Sequence, residues 1–225
     1  MLRVETVIAT NAAQAMAGDM AYPLVRIDPR DPEWSAGRIV EFAQRFPLDA
    51  VVAADEEGVV MAAVAARELG LPHNPPEAVR VTRDKAAMRQ VFADAALPQP
   101  LFRVIGADDD PVAACSEVGF PCVVKPVSLS ASRGVIRVDG IDEVADTVAR
   151  IRTITAEAGR DPSEPILAES FVPGTEVALE GLLVDGHLEV LALFDKPDPM
   201  NGPYFEETIL VTPSRLAHHV QDEIA

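Results

Sequence analysis

The chain has 225 residues, a length that allows one large domain or two small ones. Apolar residues make up 48% of it and charged residues 24%, as in ordinary globular proteins. The formal net charge of −17 argues against nucleic acid or an anionic membrane as a partner, because both would be repelled. An anionic ligand therefore has to be bound by local positive groups.

The sequence predicts neither a membrane span nor an export signal. The most apolar stretch, residues 178–194, is interrupted by three acidic residues and a histidine, and it predicts two strands instead. Residues 1–5 lack the apolar core of a signal peptide, so we expect a cytoplasmic protein. The two cysteines, Cys115 and Cys122, form no metal-binding pattern and are predicted to be reduced and buried.

Strand and helix patterns alternate over the first third of the chain. Asp31 followed by Pro32 is typical of an N-cap and the first helical position, and Gly70 is placed to end a helix. Strands are predicted at residues 4–9, 24–27 and 50–54, and helices at 32–46 and 58–69. This order with short connections predicts an α/β unit with an open parallel sheet.

Residues 71–76, Leu-Pro-His-Asn-Pro-Pro, are too rich in proline for regular structure and indicate a domain boundary. Beyond them the pattern changes to α+β. Helices are predicted at 83–96, 111–118 and 141–158, and strands at 122–125, 135–138, 166–170, 176–184 and 188–194. Asp185–Gly186 is a strong two-residue turn that joins the last two strands as a hairpin.

The chain has only three lysines, Lys85, Lys125 and Lys196, and every other basic residue except the four histidines is arginine. Lysine is a compact point charge that suits phosphate binding. A chain that has almost no lysine and keeps three within distinctive segments indicates a functional use for some of them. The alternative is that a composition rich in arginine left three lysines by chance.

A loop of small and hydroxyl residues, 128–134, follows Lys125. Such a loop lets backbone N–H groups and serine hydroxyls approach phosphate oxygens, while Arg133 adds positive charge. Its glycine spacing matches neither a Walker loop nor a dinucleotide fingerprint. The alternative is a flexible hairpin tip without a ligand.

Residues 166–176 place two glutamates around an apolar strand end and a Pro-Gly turn. The backbone of such a strand end can hydrogen-bond the rim of a purine, and Glu176 can accept hydrogen bonds from ribose hydroxyls. The alternative is a solvated turn with two surface acids.

In order along the chain, four segments resemble the ATP-grasp superfamily, most closely its carboxylate–amine ligases. The segments are 74–89, 121–126, 130–135 and 169–176. The resemblance implies an ATP-grasp fold preceded by a Rossmann-like pre-ATP-grasp domain, with the division at residues 1–76 and 77–225. The second domain would consist of a part that carries the lysines and phosphate loop, 77–172, and an incomplete C-terminal part, 173–225.

The resemblance also implies roles for individual residues. Lys85 and Lys125 would bind ATP phosphates, and the loop residues that would close over the β- and γ-phosphates are Ser130, Ser132, Arg133 and Gly134. Glu169 would receive the adenine amino group, with the hinge completed by the backbone at Phe171 and Val172.

Glu176 would hold the ribose in the same scheme, and Lys196 would contact the nucleotide. Glu180 and Glu207 would face substrate or nucleotide, although a solvated strand position explains both of them equally well. Arg133 and Glu207 are the candidates for a catalytic role.

The chemistry that the resemblance implies uses ATP and Mg²⁺. A small carboxylate attacks the γ-phosphate to give an acyl phosphate, and an amine then displaces phosphate to form an amide. Amino acids are among the expected substrates. Positioning and charge neutralisation carry such a reaction, so no protein nucleophile is required.

The sequence departs from the family pattern in two places. The metal ligands that the family carries on late strands have no counterpart after Glu207, and the first strand and helix of the N-terminal sheet have none before Val4. We therefore expect either a fragment of a longer ligase or a short nucleotide-binding regulator or subunit. An exposed sheet edge would favour association, including a homo-oligomer. A Rossmann-type oxidoreductase is disfavoured, because the glycine-rich turn after the first strand is missing.

Overall fold

The computed structural model describes residues 4–11 and 24–224, which form two compact units, Met1–Gln90 and Val91–Ala225. In the first unit a short parallel pair of strands accompanies three helices and the start of a fourth. These elements are β1 (Ala9–Thr10), β2 (Val25–Arg26), α1 (Pro32–Ala43), α2 (Val59–Glu68), α3 (Pro76–Thr82) and α4 (Lys85–Asp94). Helices α1 and α2 pack together over a small apolar core that includes Ile39, Met61 and Val64.

The predicted start of α1 is confirmed. Pro32 occupies its first turn, and the Asp31 carboxylate accepts a hydrogen bond from the backbone N–H of Trp34 at 3.0 Å. The helix ends at Ala43, before the predicted Phe46.

Three predicted strands of the first unit are shortened or wrong. The predicted strand 4–9 overlaps β1 only at Ala9, the predicted strand 24–27 is shortened to β2, and residues 50–54 form no strand. A strand needs a neighbour to pair with, and among the described residues only two registered pairs join β1 to β2. Val51 packs its partly buried side chain against the apolar core, whereas Val52 is 85% exposed.

The second unit contains a four-stranded sheet with order β3-β6-β4-β5, in which every neighbouring pair is antiparallel. The elements are β3 (Phe102–Ile105), α5 (Pro111–Val118), β4 (Cys122–Pro126), β5 (Ile136–Val138), α6 (Val144–Glu157), β6 (Ile166–Ser170), β7 (Val177–Val184), β8 (His187–Asp195) and α7 (His218–Ile224). Strand β3 and helix α3 were not predicted. Pro75 and Pro76 suggested a loop, yet proline at the first helical positions is compatible with the start of α3.

Helices α5 and α6 cover one face of this sheet, and the main core lies between them. Fully buried members include Ile105, Val124 and Ile151. Cys115 and Cys122 are free thiols in the same core, each with 0% exposure, which confirms the prediction of buried cysteines.

The opposite face of the sheet carries charged side chains. Along β4, residues Cys122 and Val124 are in the core, whereas Val123 and Lys125 point to the other face because side chains alternate along a strand. Val123 is paired with Arg137 on one side and with Glu169 on the other, so these two residues share the face of Lys125.

Strands β7 and β8 form a separate hairpin. Its turn is Asp185–Gly186, as predicted, with φ of 50° and 81° at the two positions. The pairing shifts by one residue between Glu180↔Ala192 and Gly181↔Val190, which leaves Leu191 as the extra residue of a β-bulge. In the described part of the chain, no helix has the length and apolar character that a membrane span requires.

Gly181 lies at this bulge, and the space beside it is filled. A Cβ added there would lie 2.9 Å from the backbone oxygen of Glu189 and 2.9 Å from Leu188 Cδ1. We therefore expect Gly181→Ala to lower the free energy of unfolding by about 1–3 kcal/mol, as measured by urea denaturation. Gly140→Ala is the control, because no atom lies within 4 Å of the added Cβ. Equal stability of the two variants would contradict the tight packing at the bulge.

Candidate functional site

Lys125 and Glu169 form a buried ion pair on the face of the sheet opposite helices α5 and α6. The Lys125 Nζ atom lies 2.6 Å from Glu169 Oε2, and only 16% and 6% of the two side chains are exposed. Lys125 is paired in the ladder with Leu167, so Glu169 is its diagonal neighbour on the same face of β6. The structure thus joins two residues that the sequence predicted separately, one for phosphate and one for adenine.

The predicted hinge follows Glu169 directly. The backbone N–H of Ser170 donates to the oxygen of Leu101 at 2.9 Å, and that of Phe171 donates to the oxygen of Pro121 at 3.1 Å. These two amides are therefore already engaged within the protein. Val172 is 65% exposed and is the part of the hinge that is open to a ligand.

Lys196 lies between two glutamates at the base of the β7–β8 hairpin. Its ammonium contacts the carboxylates of Glu176 and Glu207, each about half exposed, while its own side chain is only 11% exposed. Burial alone would lower the pKa of Lys196, but hydrogen bonds and charge from the two glutamates outweigh it and raise the pKa. The structure therefore brings together three residues predicted for nucleotide or substrate. Glu180 lies exposed further along β7.

The predicted phosphate loop is a compact turn between β4 and β5. Ala131 and Ser132 adopt left-handed conformations, with φ of 54° and 53°, and the backbone N–H of Arg133 donates to Ser130 at 3.3 Å. Ser132 and Arg133 are exposed at the tip, whereas Gly134 is buried against Pro126. The loop thus presents a hydroxyl and a guanidinium to solvent on a folded turn.

Lys85 lies in the first unit, as the first residue of α4. The preceding Asp84 accepts hydrogen bonds from the backbone N–H groups of Ala86 at 2.9 Å and Ala87 at 3.0 Å. An aspartate in this position fixes the start of the helix and hence the backbone of Lys85. The other predicted site residues lie in the second unit.

The sequence missed two residues that hold this region together. The Arg137 guanidinium lies 4.5 Å from the centre of the Phe171 ring and donates to the Asn201 oxygen at 2.8 Å. Asp195 accepts hydrogen bonds from the Ser214 hydroxyl and, at 3.0 Å each, from the backbone N–H and Nε of Arg215. The sequence offered one signal for each of them. Arg137 is a charge between two buried residues of β5, and Asp195 is an acid directly before Lys196.

Hydrogen bonding also changes the acidity of Asp195. The Ser214 hydroxyl, the Arg215 amide and the Arg215 guanidinium together lower the pKa of this carboxyl, and they outweigh the opposing effect of burial. The residue fixes segment 211–215 to the end of β8, because backbone hydrogen bonds also join Asp195 and Val211 in both directions at 2.9 and 3.0 Å.

Sequence profiles match most of the chain. A profile of the ATP-grasp N-terminal domain matches residues 2–73, and one of the ATP-grasp domain matches residues 118–225. The chain belongs to the ATP-grasp superfamily. The fold and family that the sequence predicted are therefore confirmed.

Individual ATP-grasp proteins are similar to the chain over much of its length. Alanine–anticapsin ligase from Bacillus subtilis strain 168 is 29% identical over 203 residues, which are 83% of this chain and 42% of that protein. The L-amino acid ligase from Bacillus licheniformis superposes with a TM-score of 0.75 at 27% identity, covering 98% of this chain and 51% of that one.

A third relative supports the fold alone. The biotin carboxylase domain of 2-oxoglutarate carboxylase from Hydrogenobacter thermophilus, solved with MgADP, ADP and bicarbonate, has a TM-score of 0.69 at 20% identity. It covers 92% of this chain and 46% of its own. The chain therefore spans about half the length of the ATP-grasp relatives that it matches.

The buried ion pair gives a stability prediction for this ATP-grasp chain. Lys125→Met leaves the Glu169 carboxylate buried without its cation, so we expect the free energy of unfolding to fall by about 3–5 kcal/mol in urea denaturation. Lys125→Met combined with Glu169→Leu removes both charges and is expected to cost less than the single change. Arg103→Met is the control, since it breaks an exposed pair with Glu117 at 2.6 Å and should cost about 0–1 kcal/mol.

Asp195 gives a prediction for the dependence of stability on pH. Its pKa in the folded state lies below the unfolded value of about 3.9, so its contribution is complete above that pH and is lost as pH falls through the lower, folded-state pKa. We expect Asp195→Asn to lose less stability than the parent chain when urea midpoints are compared between pH 5 and pH 2.5. Asp222→Asn controls for the removal of one charge. Parallel curves for Asp195→Asn and the parent chain would contradict the role of these hydrogen bonds.

Proposed function

We propose that the chain binds ATP on the face of the second-unit sheet opposite helices α5 and α6, and that the whole protein uses ATP to join a carboxylate to an amine. The observation that carries this proposal is the placement of two of the three lysines, Lys125 and Lys196, each in contact with acidic residues of the predicted site. The similarity to ATP-grasp ligases supports it.

The proposed roles follow the positions of the side chains. Lys125 would share its charge between Glu169 and a phosphate oxygen, while Ser132 and Arg133 at the loop tip would contact the outer phosphates. Val172 would meet the rim of the base, and Glu176 would accept hydrogen bonds from the ribose. Lys85 remains a proposed phosphate ligand, and the proposed domain division after residue 76 assigns it to the ATP-grasp domain.

The charges near the site are largely balanced without a ligand. Glu169 neutralises Lys125, and Lys196 contacts two carboxylates rather than one. A triphosphate therefore has to compete with carboxylates for the ammonium groups, and it needs countercharge of its own. Mg²⁺ carried by the nucleotide would supply that charge and make the γ-phosphate a better acceptor.

The side chains do not by themselves fit a resident metal ion. Within residues 4–11 and 24–224, no group of three or more His, Cys, Asp or Glu side chains could hold one. Among the acids of the predicted site, Glu176 and Glu207 contact Lys196, and Glu169 contacts Lys125. We therefore derive no step of the reaction through the metal.

The proposed reaction has two balanced steps. A carboxylate oxygen of the first substrate attacks the γ-phosphorus and the bond to the β-phosphate oxygen breaks, which gives an acyl phosphate and ADP. The amine nitrogen of the second substrate then attacks the acyl carbon, phosphate leaves, and the nitrogen loses a proton. Lys125 and Arg133 would stabilise negative charge on the phosphates as it moves. Amino acids are the proposed substrates, in keeping with the names of the two ligase relatives.

A second candidate function is nucleotide binding without ligation, in a regulator or in a subunit that another chain completes. The observation in its favour is that the described residues provide lysines for phosphate but no cluster of three or more His, Cys, Asp or Glu side chains that could hold a metal ion. Release of ADP on addition of amino acids distinguishes the two functions, because only the ligase consumes ATP.

Nucleotide binding is tested by thermal melting of the chain with MgATP. Ligand at a hundred times its dissociation constant adds about 2.7 kcal/mol, which is a rise of roughly 5–10 °C for a protein of this size. Lys125→Met is expected to lose most of the rise relative to its own melt without nucleotide. Arg103→Met should keep it, because Arg103 pairs with Glu117 on the surface.

Two outcomes of the melt would contradict the proposal. A parent chain that melts cooperatively and shows no rise with MgATP does not bind it at the concentration used. A rise with NADH in place of ATP would instead favour an oxidoreductase.

Labelling of lysines in the presence of MgATP adds a local readout, since ATP should slow acetylation of Lys125.

A further inference from the structure

The segment that follows β8 returns to the four-stranded sheet and runs beside β5. We call residues 201–207 the return segment. The backbone N–H of Arg137 donates to the Pro203 oxygen at 2.8 Å, and its Nη1 donates to the Asn201 oxygen at 2.8 Å. Ile136 and Tyr204 also form an isolated antiparallel bridge. The return segment is therefore attached to β5 by main-chain and side-chain bonds around Arg137.

The packing at this attachment is close. A Cβ added to Gly202 would lie 2.8 Å from Arg137 Cβ and 3.0 Å from Arg137 Cδ, and the φ of Gly202 is +85°. Only glycine suits that conformation and that distance. The return segment thus lies directly against the stem of the Arg137 side chain.

Arg137 also contacts two other groups, a carboxylate and an aromatic ring. Its Nε donates to Asp139 at 2.7 Å, and its guanidinium lies over the Phe171 ring at 4.5 Å from the ring centre. Phe205 of the return segment lies near the same ring, with 6.5 Å between centres. One side chain therefore connects the strand, the predicted hinge and the return segment.

The far end of the return segment carries Glu207, whose carboxylate contacts Lys196. Only one residue separates Glu207 from Phe205, so the attachment of residues 201–205 fixes one side of Glu207. The Thr208 hydroxyl, which donates to Asp198, fixes the other side. Lys196 keeps its other partner, Glu176, at the base of the hairpin. Loss of the attachment would leave Lys196 with one carboxylate instead of two.

We infer that Arg137 is a positioning residue, which fixes the return segment on β5 so that Glu207 reaches Lys196. It links the aromatic ring of the predicted hinge to the charge balance around that lysine. None of these contacts involves a nucleotide, so the role of Arg137 does not depend on the proposed function. A ligand that displaced the guanidinium from Phe171 would loosen Glu207 from Lys196.

The three lysines of the chain provide the test. Acetylation by acetic anhydride, followed by mass spectrometry of peptides, gives a separate rate for Lys85, Lys125 and Lys196. In Arg137→Met we expect Lys196 to react about tenfold faster than in the parent chain, because loss of the Glu207 carboxylate lowers the pKa of Lys196 and increases the fraction of neutral amine. Lys125 is the internal reference, because it is similarly buried and pairs with Glu169 on another strand.

Matched variants separate positioning from general loss of stability. Arg137→Lys keeps a cation near Phe171 but lacks the planar fork that donates to two oxygens, so an intermediate rate is expected at Lys196. Arg103→Met removes a surface arginine that pairs with Glu117 and should leave all three rates unchanged. Gly202→Ala disturbs the attachment while keeping Arg137, and it should expose Lys196 as Arg137→Met does.

Two results would overturn the inference. One is an unchanged Lys196 rate in folded Arg137→Met or folded Gly202→Ala. The other is a parallel increase at all three lysines, which would indicate general unfolding rather than release of Glu207. Should Arg137→Met fail to fold, Gly202→Ala and Arg137→Lys give the same comparison. No nucleotide is present, so a chain that did not bind ATP could still support the role of Arg137.

Discussion

The placement of charge in the second unit depends on one constraint, the alternation of side chains along strands that are covered by helices on one face. Helices α5 and α6 cover the face that holds Val124, and Ile151 of α6 belongs to the same core, where an unpaired charge would be costly. Lys125, Glu169 and Arg137 consequently share the other face, through their common neighbour Val123. The candidate site is where it is because the core occupies the opposite side of the same strands.

A second constraint is the register of the β7–β8 hairpin. Paired without a bulge from the Asp185–Gly186 turn, the strands would bring Glu176 opposite Asp195, two like charges at the hairpin base. The extra residue Leu191 shifts the pairing by one position, so that Val177 pairs with Asp195 and Lys196 lies beside Glu176. Asp195 is free to hold Ser214 and Arg215 instead. Because of this bulge, Asp195 anchors the segment that carries Ser214 and Arg215, while Lys196 contacts Glu176 and Glu207.

Local signals predicted most elements of the second unit and helices α1 and α2 well, and the strands of the first unit poorly. Helix 111–118, strand 166–170 and the hairpin turn agree with the structure to the residue, because a proline at the helix start, a short apolar run and an Asp-Gly pair act within a few positions. The prediction of a strand at residues 50–54 was wrong, because whether a segment pairs as a strand depends on residues that are distant in the sequence. The sequence likewise indicated Lys125 and Glu169 as candidates but not their contact, which follows from the β4–β6 register. Arg137 was missed because its partners, Phe171 and Asn201, are 34 and 64 residues away.

The scarcity of lysine has a different physical meaning once the contacts are known. With a net charge of −17, a compact ammonium attracts carboxylates, and both lysines of the second unit are in contact with them. In the proposed function, an anionic ligand would replace one negative partner of the ammonium by another, and the gain in free energy would be the difference between the two contacts. That exchange would favour a polyanion with its own metal over a single carboxylate, because several oxygens would replace one. The glutamates also hold the ammonium groups in position, which would reduce the entropy lost on binding.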